Sequence, residues 1–510
     1  MNSIFSFLPD PTTPRTAKRV ATVTNRLVVL LFSLAFLTTS CKKETEVTPN
    51  NTLTAAAGAD QAVQVGQVVT LDGSASTDSQ SKPFTFQWVM TRKPAKSTVA
   101  LTNATAAKPA FTPDEVGEYE FELTVSNANG RSTDKVLITA SVAEPLAITQ
   151  NITVKTVLND RVTNPNLPDY IVTKSIALTS ELTINPGVVI AFERDTRFDI
   201  NSDAVIVAKG EADKKIRFVG VQKTKGYWVG IMVYSGSNAN VFENIELLHA
   251  GSRVLLSGVK AGMGMFGGGK AQLAIRNSQF SENDGYGLFV QDGAILREFA
   301  TNSFKNNTDA GILLDAVNVV KLDATSAFTG GNGRNVVEVS SSALKEGKED
   351  EIIWPGFADK TPYRLNGDLS VDTGWKLNPG VTVEVSRDAA IRINGAGYLS
   401  AKGTPTEKIT ITGAARTAGY WRGLICYSTS TQNVIENAEV SYAGSNALVS
   451  GKKTNIAVHG AKAAMSIKNT KISGSAGHGI YVAYNCILNA DAATANTFEA
   501  NGAANIMIDK

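Results

Sequence analysis

The ten residues GYWVGIMVYS, Gly226 to Ser235, return almost unchanged as GYWRGLICYS, Gly419 to Ser428. The displacement is 193 residues, and it holds outward from these words: Asn185 pairs with Asn378, Gly210 with Gly403, Trp228 with Trp421 and Gly251 with Gly444. Between Gly226–Gly251 and Gly419–Gly444, 14 of 26 positions are identical. Further on the register slips by about one, and IRNSQFSENDGYGLFV (Ile275 to Val290) pairs with IKNTKISGSAGHGIYV (Ile467 to Val482). Two halves, 146–340 and 341–510, therefore descend from one ancestor. Each half is a control for the other: a feature present in one half is a candidate for function, and a feature present in both is expected to serve the fold, except that a binding surface can be usefully duplicated.

A shorter rhythm runs inside each half. VIVAKG, IRFVG, GIMVYS, NIELLHAG, LAIRNSQF and GLFV follow one another as apolar words separated by Gly and Asn, without helical periodicity. The two-residue primed turns that hairpins need are mostly missing. The recurring form I-x-N-x-x-F…G-x-G-I-x-V predicts the rungs of a right-handed parallel β-helix, with roughly 20–25 residues per coil. About 15 coils would give a rod of some 70 Å at the strand spacing. Stacking places the inward Ile, Val, Leu and Phe in one column. Asn244, Asn277, Asn437 and Asn469 fall at turns, where a side-chain amide can bond the neighbouring coil.

The words LTINPGVVIAF, VAKGEADKKIRFVG and GYWVG recur as KLNPGVTVEV, SAKGTPTEKITITG and GYWRG. This pattern resembles the secreted bacterial parallel β-helix proteins of the pectin-lyase-like superfamily. The resemblance covers nearly all of 146–510 and implies a fold; the superfamily includes lyases, hydrolases, esterases and binding proteins, so it implies no single activity.

Residues 53–143 read differently. VVTL, FTFQW and YEFELTV alternate apolar and polar residues between turns, the pattern of a β-sandwich. LDGSAS with Asp78, the strand Trp88, FTPDEVGEY and LTVSNANG resemble a PKD-type immunoglobulin-like domain, with FQWVMTRKP where the family's WDFGDG usually stands. Gly117 and Tyr119 fit a tyrosine corner, and Trp88 fits the core. The resemblance implies a spacer or adhesive module.

At the N-terminus, Lys18, Arg19 and Arg26 precede the apolar run LVVLLFSLAFL, Leu27 to Leu37, which is too short to span a bilayer. Small residues and then Cys41 follow. Residues 1–40 read as a signal peptide and 41–52 as a tether. The junction resembles a bacterial lipoprotein cleavage site, which implies lipidation of Cys41, a membrane partnership through the acyl chains and an outer-membrane location. Leu37 stands four residues before the Cys, whereas the usual lipoprotein pattern has Leu three before it.

Composition narrows the function classes. The 510 residues carry a net charge of +2, with no basic cluster in the mature part to suggest nucleic acid. Three Cys exclude a disulfide framework, and three His without a Cys/His cluster argue against structural zinc. Cys426 and Cys486 replace Val233 and Ala294, which predicts buried thiols two or three coils apart. Asp195, Asp199 and Asp203 are the nearest approach to a Ca²⁺ site, and such an ion needs six to eight oxygens.

The catalytic candidate is His478, in a Gly-His-Gly word that the polygalacturonase family also carries. That family's companion Asp residues are missing: Lys471 stands where an Asp is needed, and the other half has Tyr286 in place of the His. No GxSxG elbow places a serine nucleophile. The candidates for ligand contact are the aromatics of the duplicated words, Trp228, Tyr234, Tyr420, Trp421 and Tyr427, whose rings could stack on sugars. The reading is an all-β protein: an N-terminal Ig-like sandwich, then a long right-handed parallel β-helix made of two duplicated halves. It is expected to be a surface-anchored binding or adhesion protein that contacts carbohydrate along a β-helix face. The alternatives are a polysaccharide-degrading lyase or glycoside hydrolase and a purely structural envelope protein. The anchor is directly testable. Cys41→Ala is expected to abolish incorporation of radiolabelled palmitate and to move the protein from the membrane to the soluble fraction; unchanged membrane association would contradict the anchor.

Overall fold

The computed structural model describes residues 52–510, apart from 163, 202, 256–257 and 346–350. Residues 1–51, where a signal peptide, the lipidated Cys41 and most of the tether are expected, lie outside the described residues.

Residues 53–143 build a four-stranded sheet in the order Gln61–Gln64, Gly130–Ser141, Gly117–Asn127, Thr85–Arg92. Two short antiparallel pairs, Leu53–Thr54 with Thr77–Asp78 and Val69–Thr70 with Ala110–Phe111, complete it. The alternation in GEYEFELTV has a physical outcome: Tyr119, Phe121, Leu123 and Val125 are all buried on one face. Trp88 is buried with them and donates its indole N–H to the Ala106 carbonyl at 3.2 Å. The tyrosine corner forms: the Tyr119 hydroxyl donates to the Glu115 carbonyl and accepts from the Glu115 N–H, each at 2.9 Å.

From Leu146 onward the chain winds as a parallel β-helix. One coil of the first half consists of Glu181–Ile184, Val189–Phe192 and Arg197–Ile200, which belong to sheets of six, eight and thirteen strands. Leu182, Ile184, Ile190, Phe192, Phe198 and Ile200 point inward and join one continuous core that runs to Val482. Like stacks on like along this column. Phe280, Phe304 and Phe328 lie ring over ring, with centroids 5.2 Å apart at each step.

Coil length departs from expectation. Coils run from 20 residues (Tyr363 to Val383) to 34 (Val207 to Val241). The long coils carry the Trp-Tyr words in turns outside the strands, so fewer coils use up the chain. The longest sheet has thirteen strands rather than the expected fifteen, and at the strand spacing it is about 60 Å long.

Asparagine holds the corners. Asn244, Asn277, Asn437 and Asn469 all have φ between 47° and 50°, a left-handed conformation that Asn tolerates better than most residues. Asn244 and Asn437 each reach a glycine carbonyl one coil away, Gly210 at 3.1 Å and Gly403 at 3.3 Å. A second ladder is fully internal: the Asn283 amide donates to Asn307, and that of Asn307 to Asn332, both at 2.9 Å. Buried amides are tolerable because each is paired along the stack.

Equivalent strands change sheets between the halves. Val189–Phe192 lies in the eight-stranded sheet, but its counterpart Thr382–Val385 lies in the thirteen-stranded one. Gly230–Val233 lies in the thirteen-stranded sheet, and its counterpart Gly423–Cys426 lies in a separate seven-stranded sheet. The thirteen-stranded sheet crosses the seam unbroken, with Arg334–Val339 paired in parallel to Tyr363–Leu365. The duplicated repeat is thus displaced by one sheet.

An ionic cluster sits at this seam. Val337 and Val339 point into the core, so Glu338 between them points outward, yet it is only 2% exposed. The Tyr286 hydroxyl and the Asn366 amide both donate to its Oε2 at 2.6 Å, and the Arg334 Nε donates to Oε1. Arg334 also pairs with Asp309 at 2.9 Å. Burial pushes the Glu338 carboxyl up, but the hydrogen bonds from Arg334, Tyr286 and Asn366 outweigh it and hold the group below its usual range. Asn366 comes from the second half and the other partners from the first, so Glu338 fastens one half to the other. A carboxylate whose folded pKa is depressed contributes stability above its unfolded value, and that contribution is lost as pH falls through the folded value. The wild type should therefore lose stability on acidification below about pH 4.5, and Glu338→Gln should flatten that part of the profile in denaturation midpoints measured from about pH 7 to pH 3. Removing the cation instead, by Arg334→Met, should cost about 3 kcal/mol at neutral pH, because it leaves a buried carboxylate underpaired.

Candidate functional site: paired corner clefts

The duplicated aromatic words are scaffold. Trp228 and Trp421 are completely buried, which corrects the expectation that they form sugar-stacking platforms. Trp228 lies flat on Phe192, with ring centroids 4.0 Å apart and 13° between planes, and its indole N–H donates to the Leu248 carbonyl at 2.7 Å. The Trp421 N–H donates to the Ser441 carbonyl at 2.8 Å. Each indole closes a corner where its strand begins. Tyr420 packs against the core, and Arg387 covers its ring at 4.8 Å, just as Arg194 covers Tyr227 at 4.7 Å. Tyr234 stacks on Phe266 at 5.1 Å. Tyr427 is the most open of the five, 36% exposed, with its ring edge-on to His459. The one-sheet displacement also places Tyr234 and Tyr427 beside different sheets, so the two words do not share a face.

The remaining candidates do not assemble a reaction centre. His478 begins the strand His478–Val482, and its Nδ1 is buried without a hydrogen-bond partner. The flanking glycines answer to stacking: a Cβ on Gly477 would lie 2.1 Å from the Lys453 carbonyl oxygen, and one on Gly479 would lie 2.6 Å from that of Asn505. Asp195 pairs with Arg253 and Asp199 with Arg197, and among the described residues no three His, Cys, Asp or Glu side chains gather as ligands for an ion. The thiols of Cys426 and Cys486 are unpaired. Burial pushes the Cys426 thiol up to about 11, which leaves it protonated and unreactive at neutral pH.

Concave surface lies elsewhere, and two of the clefts among the described residues occupy related places in the two halves. In the first half a cleft of about 520 Å³ is lined by Asp160, Val162, Pro165, Gly187, the Ala212–Lys215 segment, Arg217 and Glu246. In the second half a cleft of about 300 Å³ is lined by Lys360, Tyr363, the Asn378–Val381 turn and Glu407 among others. These are the same place in the repeat, the Asn-Pro-Gly corner between two strands. The Gly187 N–H donates to the Lys214 carbonyl at 2.9 Å, and its counterpart Gly380 donates to the Glu407 carbonyl at 3.1 Å. A tyrosine anchors the loop below in each half: the Tyr170 hydroxyl donates to the Asn159 carbonyl at 3.2 Å, and that of Tyr363 to the Pro355 carbonyl at 2.6 Å.

The two clefts exchange charge. The first sets Asp160 below against Lys214 above; the second sets Lys360 below against Glu407 above, paired at 3.3 Å. Gly187, at φ +89°, leaves room for Asp160, whose Oδ2 would lie 2.5 Å from a Cβ there. Partial burial and then the charge of Asp169 push the Asp160 carboxyl up, partly offset by Lys214. Asp169 itself is fully buried and sealed by the N–H groups of Arg161, Val162 and Val189 at 2.5–2.8 Å. On the far wall, Glu246 holds Lys215 at 3.2 Å and Arg217 at 3.0 Å. Sequence reasoning missed this site. The one available signal was Lys214 aligning with Glu407, a charge reversal at a duplicated turn.

Comparison with known proteins fits this architecture. Residues 57–140 match a family model of the PKD domain, and residues 183–325 match the right handed beta helix region. The chain therefore carries a PKD domain followed by a right-handed β-helix, a combination that suggests a surface or carbohydrate-related protein. Among solved structures it is similar to a nucleoside hydrolase-related protein from Saccharophagus degradans, described as associated with carbohydrate metabolism. The identity is 21% over 17% of this chain and 23% of that one, with a TM-score of 0.15. It is also similar to the PKD domain of the KIAA 1837 protein, at 32% identity over 17% of this chain and 83% of that one, with a TM-score of 0.15. For the PKD domain of human KIAA0319 the identity is 19%, over 19% and 91%, with a TM-score of 0.16. No curated protein matches the chain significantly.

The assignment of the tryptophans to the scaffold has a measurable consequence. Trp228→Ala and Trp421→Ala should each lower stability by about 3–5 kcal/mol in chemical denaturation, the cost of emptying a large buried site. A substitution tolerated within about 0.5 kcal/mol would contradict burial, because that is the range of an exposed residue.

Proposed function

We propose that this chain is a surface-anchored binding protein whose β-helix holds carbohydrate in the corner clefts, with Cys41 as the lipid attachment point and the PKD domain as spacer. The observation that carries the reading is the repetition of the cleft. A reaction centre is needed once, whereas a binding surface gains from being present twice. The chemistry of the lining supports binding rather than turnover. Glycoside hydrolysis needs two carboxyl groups flanking the scissile bond. Of the three carboxylates that line the larger cleft, Glu246 is held by Lys215 and Arg217 and Asp160 lies beside Lys214, so two of the three are engaged by cations rather than set as a free pair. Lysine, arginine and carboxylate groups together offer donors and acceptors that match sugar hydroxyls.

A glycan array, paired with reducing-sugar and unsaturated-product assays on the same oligosaccharides, tests the proposal. Retention of one glycan class without product release is expected, with retention reduced at least tenfold by Lys214→Ala combined with Arg217→Ala. Turnover of any bound glycan would overturn the binding reading in favour of a polysaccharide-degrading enzyme.

A further inference from the structure

The clefts say more about the ligand and its arrangement than that one binds. The first is lined by three carboxylates, Asp160, Asp213 and Glu246, and three cations, Lys214, Lys215 and Arg217. The second is lined by one of each, Lys360 and Glu407. Each is therefore balanced at neutral pH, and neither carries the net positive charge that a polyuronate or sulfated chain would require. A ligand without charge but rich in hydroxyls satisfies both members of a Lys–carboxylate pair at once, donating to the carboxylate and accepting from the ammonium. Both clefts are open at the rod surface rather than enclosed, which suits an extended chain passing across the corner.

Their placement is the second observation. The first cleft opens at the corner leading into Val189–Phe192 of the eight-stranded sheet. The second opens at the corner leading into Thr382–Val385 of the thirteen-stranded sheet. Seven steps of the thirteen-stranded sheet separate Phe198, just after the first cleft, from Val383, just after the second. That is roughly 30 Å along the axis at the strand spacing. Two sites so far apart and on different edges do not line up along one straight chain.

We propose that each corner cleft binds a neutral glycan segment and that, because the halves are displaced by one sheet, the protein bridges two separate glycan chains instead of lying along one. This rests on the reading of the clefts as carbohydrate sites. The full chain is titrated with neutral hexasaccharides of β-1,4-linked glucose, mannose and xylose, with hexagalacturonate as the charged comparison. It is then mixed with the long polymer of whichever neutral sugar binds. The expected result is two hexasaccharides per chain, no binding of hexagalacturonate, and a rise in viscosity or precipitation of the polymer. Lys214→Ala with Arg217→Ala should leave one site of unchanged affinity, as should Lys360→Ala with Glu407→Ala. Either pair should abolish cross-linking and weaken retention on immobilised polymer about 100-fold, the loss expected when two linked sites become one. Lys214, Lys360 and Glu407 are exposed and Arg217 is half-buried, and an unchanged melting curve identifies a folded variant. One hexasaccharide per chain, or two without cross-linking, would overturn the bridging inference while leaving carbohydrate binding intact. Preference for hexagalacturonate would overturn the assignment of a neutral ligand. Binding of none of the four would overturn the carbohydrate reading itself.

Discussion

A parallel β-helix must keep one uninterrupted column of inward side chains, because each coil buries its apolar face only against its neighbours. Everything else in 146–510 adapts to that constraint. Coils vary from 20 to 34 residues, yet the inward registers Phe198, Ile231, Met263 and Leu288 stay aligned. Extra residues are expelled into corners. Asn residues at left-handed φ, and the indoles of Trp228 and Trp421, then satisfy the backbone groups that those corners expose. The Trp-Tyr words were kept in both halves because a long coil needs a large side chain to close it.

The same constraint explains how two copies of one sequence are joined. Keeping the thirteen-stranded sheet continuous across the seam means that Tyr363–Leu365 continues on Arg334–Val339 rather than on the Ala327–Gly330 strand. The second copy thereby starts one sheet further round. The core accepts this because any of the three strand types presents alternating apolar residues inward. What makes the joint specific lies outside the core, where Glu338 is held by Arg334 and Tyr286 from below and by Asn366 from above. Removing one partner of such a buried pair is costly, whereas replacing the whole cluster with apolar groups need not be. Its value to this fold is the choice of one seam geometry over another.

Much of this was legible in the sequence, and the parts that were not have a common cause. The duplication, the rung pattern and the sandwich with its Tyr119 corner follow from local alternation and from words repeated at a fixed distance. Identical words also marked Trp228 and Trp421 correctly as parts of a coil, but exposure depends on which side of the corner a ring falls, and local pattern does not specify that. The sheet displacement was invisible for a related reason: each strand pairs with a partner 20 to 34 residues away, and the choice among three partners is made by the whole column. The corner clefts arise between loops of successive coils, so Asp160 and Lys214 meet across more than fifty residues of chain. Only the reversal of charge at Lys214 and Glu407 left a trace in the alignment.

The displacement of the halves is the claim on which the arrangement of the clefts depends, and a cross-link across the seam tests it most directly. Glu338 and Arg364 are neighbours on adjacent strands of the thirteen-stranded sheet, both facing outward. Glu338→Cys with Arg364→Cys, in a chain carrying Cys426→Val and Cys486→Ala, should oxidise to an internal disulfide visible by mass spectrometry, and Thr329→Cys with Arg364→Cys should not. Cross-linking through position 329 and not through 338 would place the second half directly over the eight-stranded sheet, and the two copies would then lie in line.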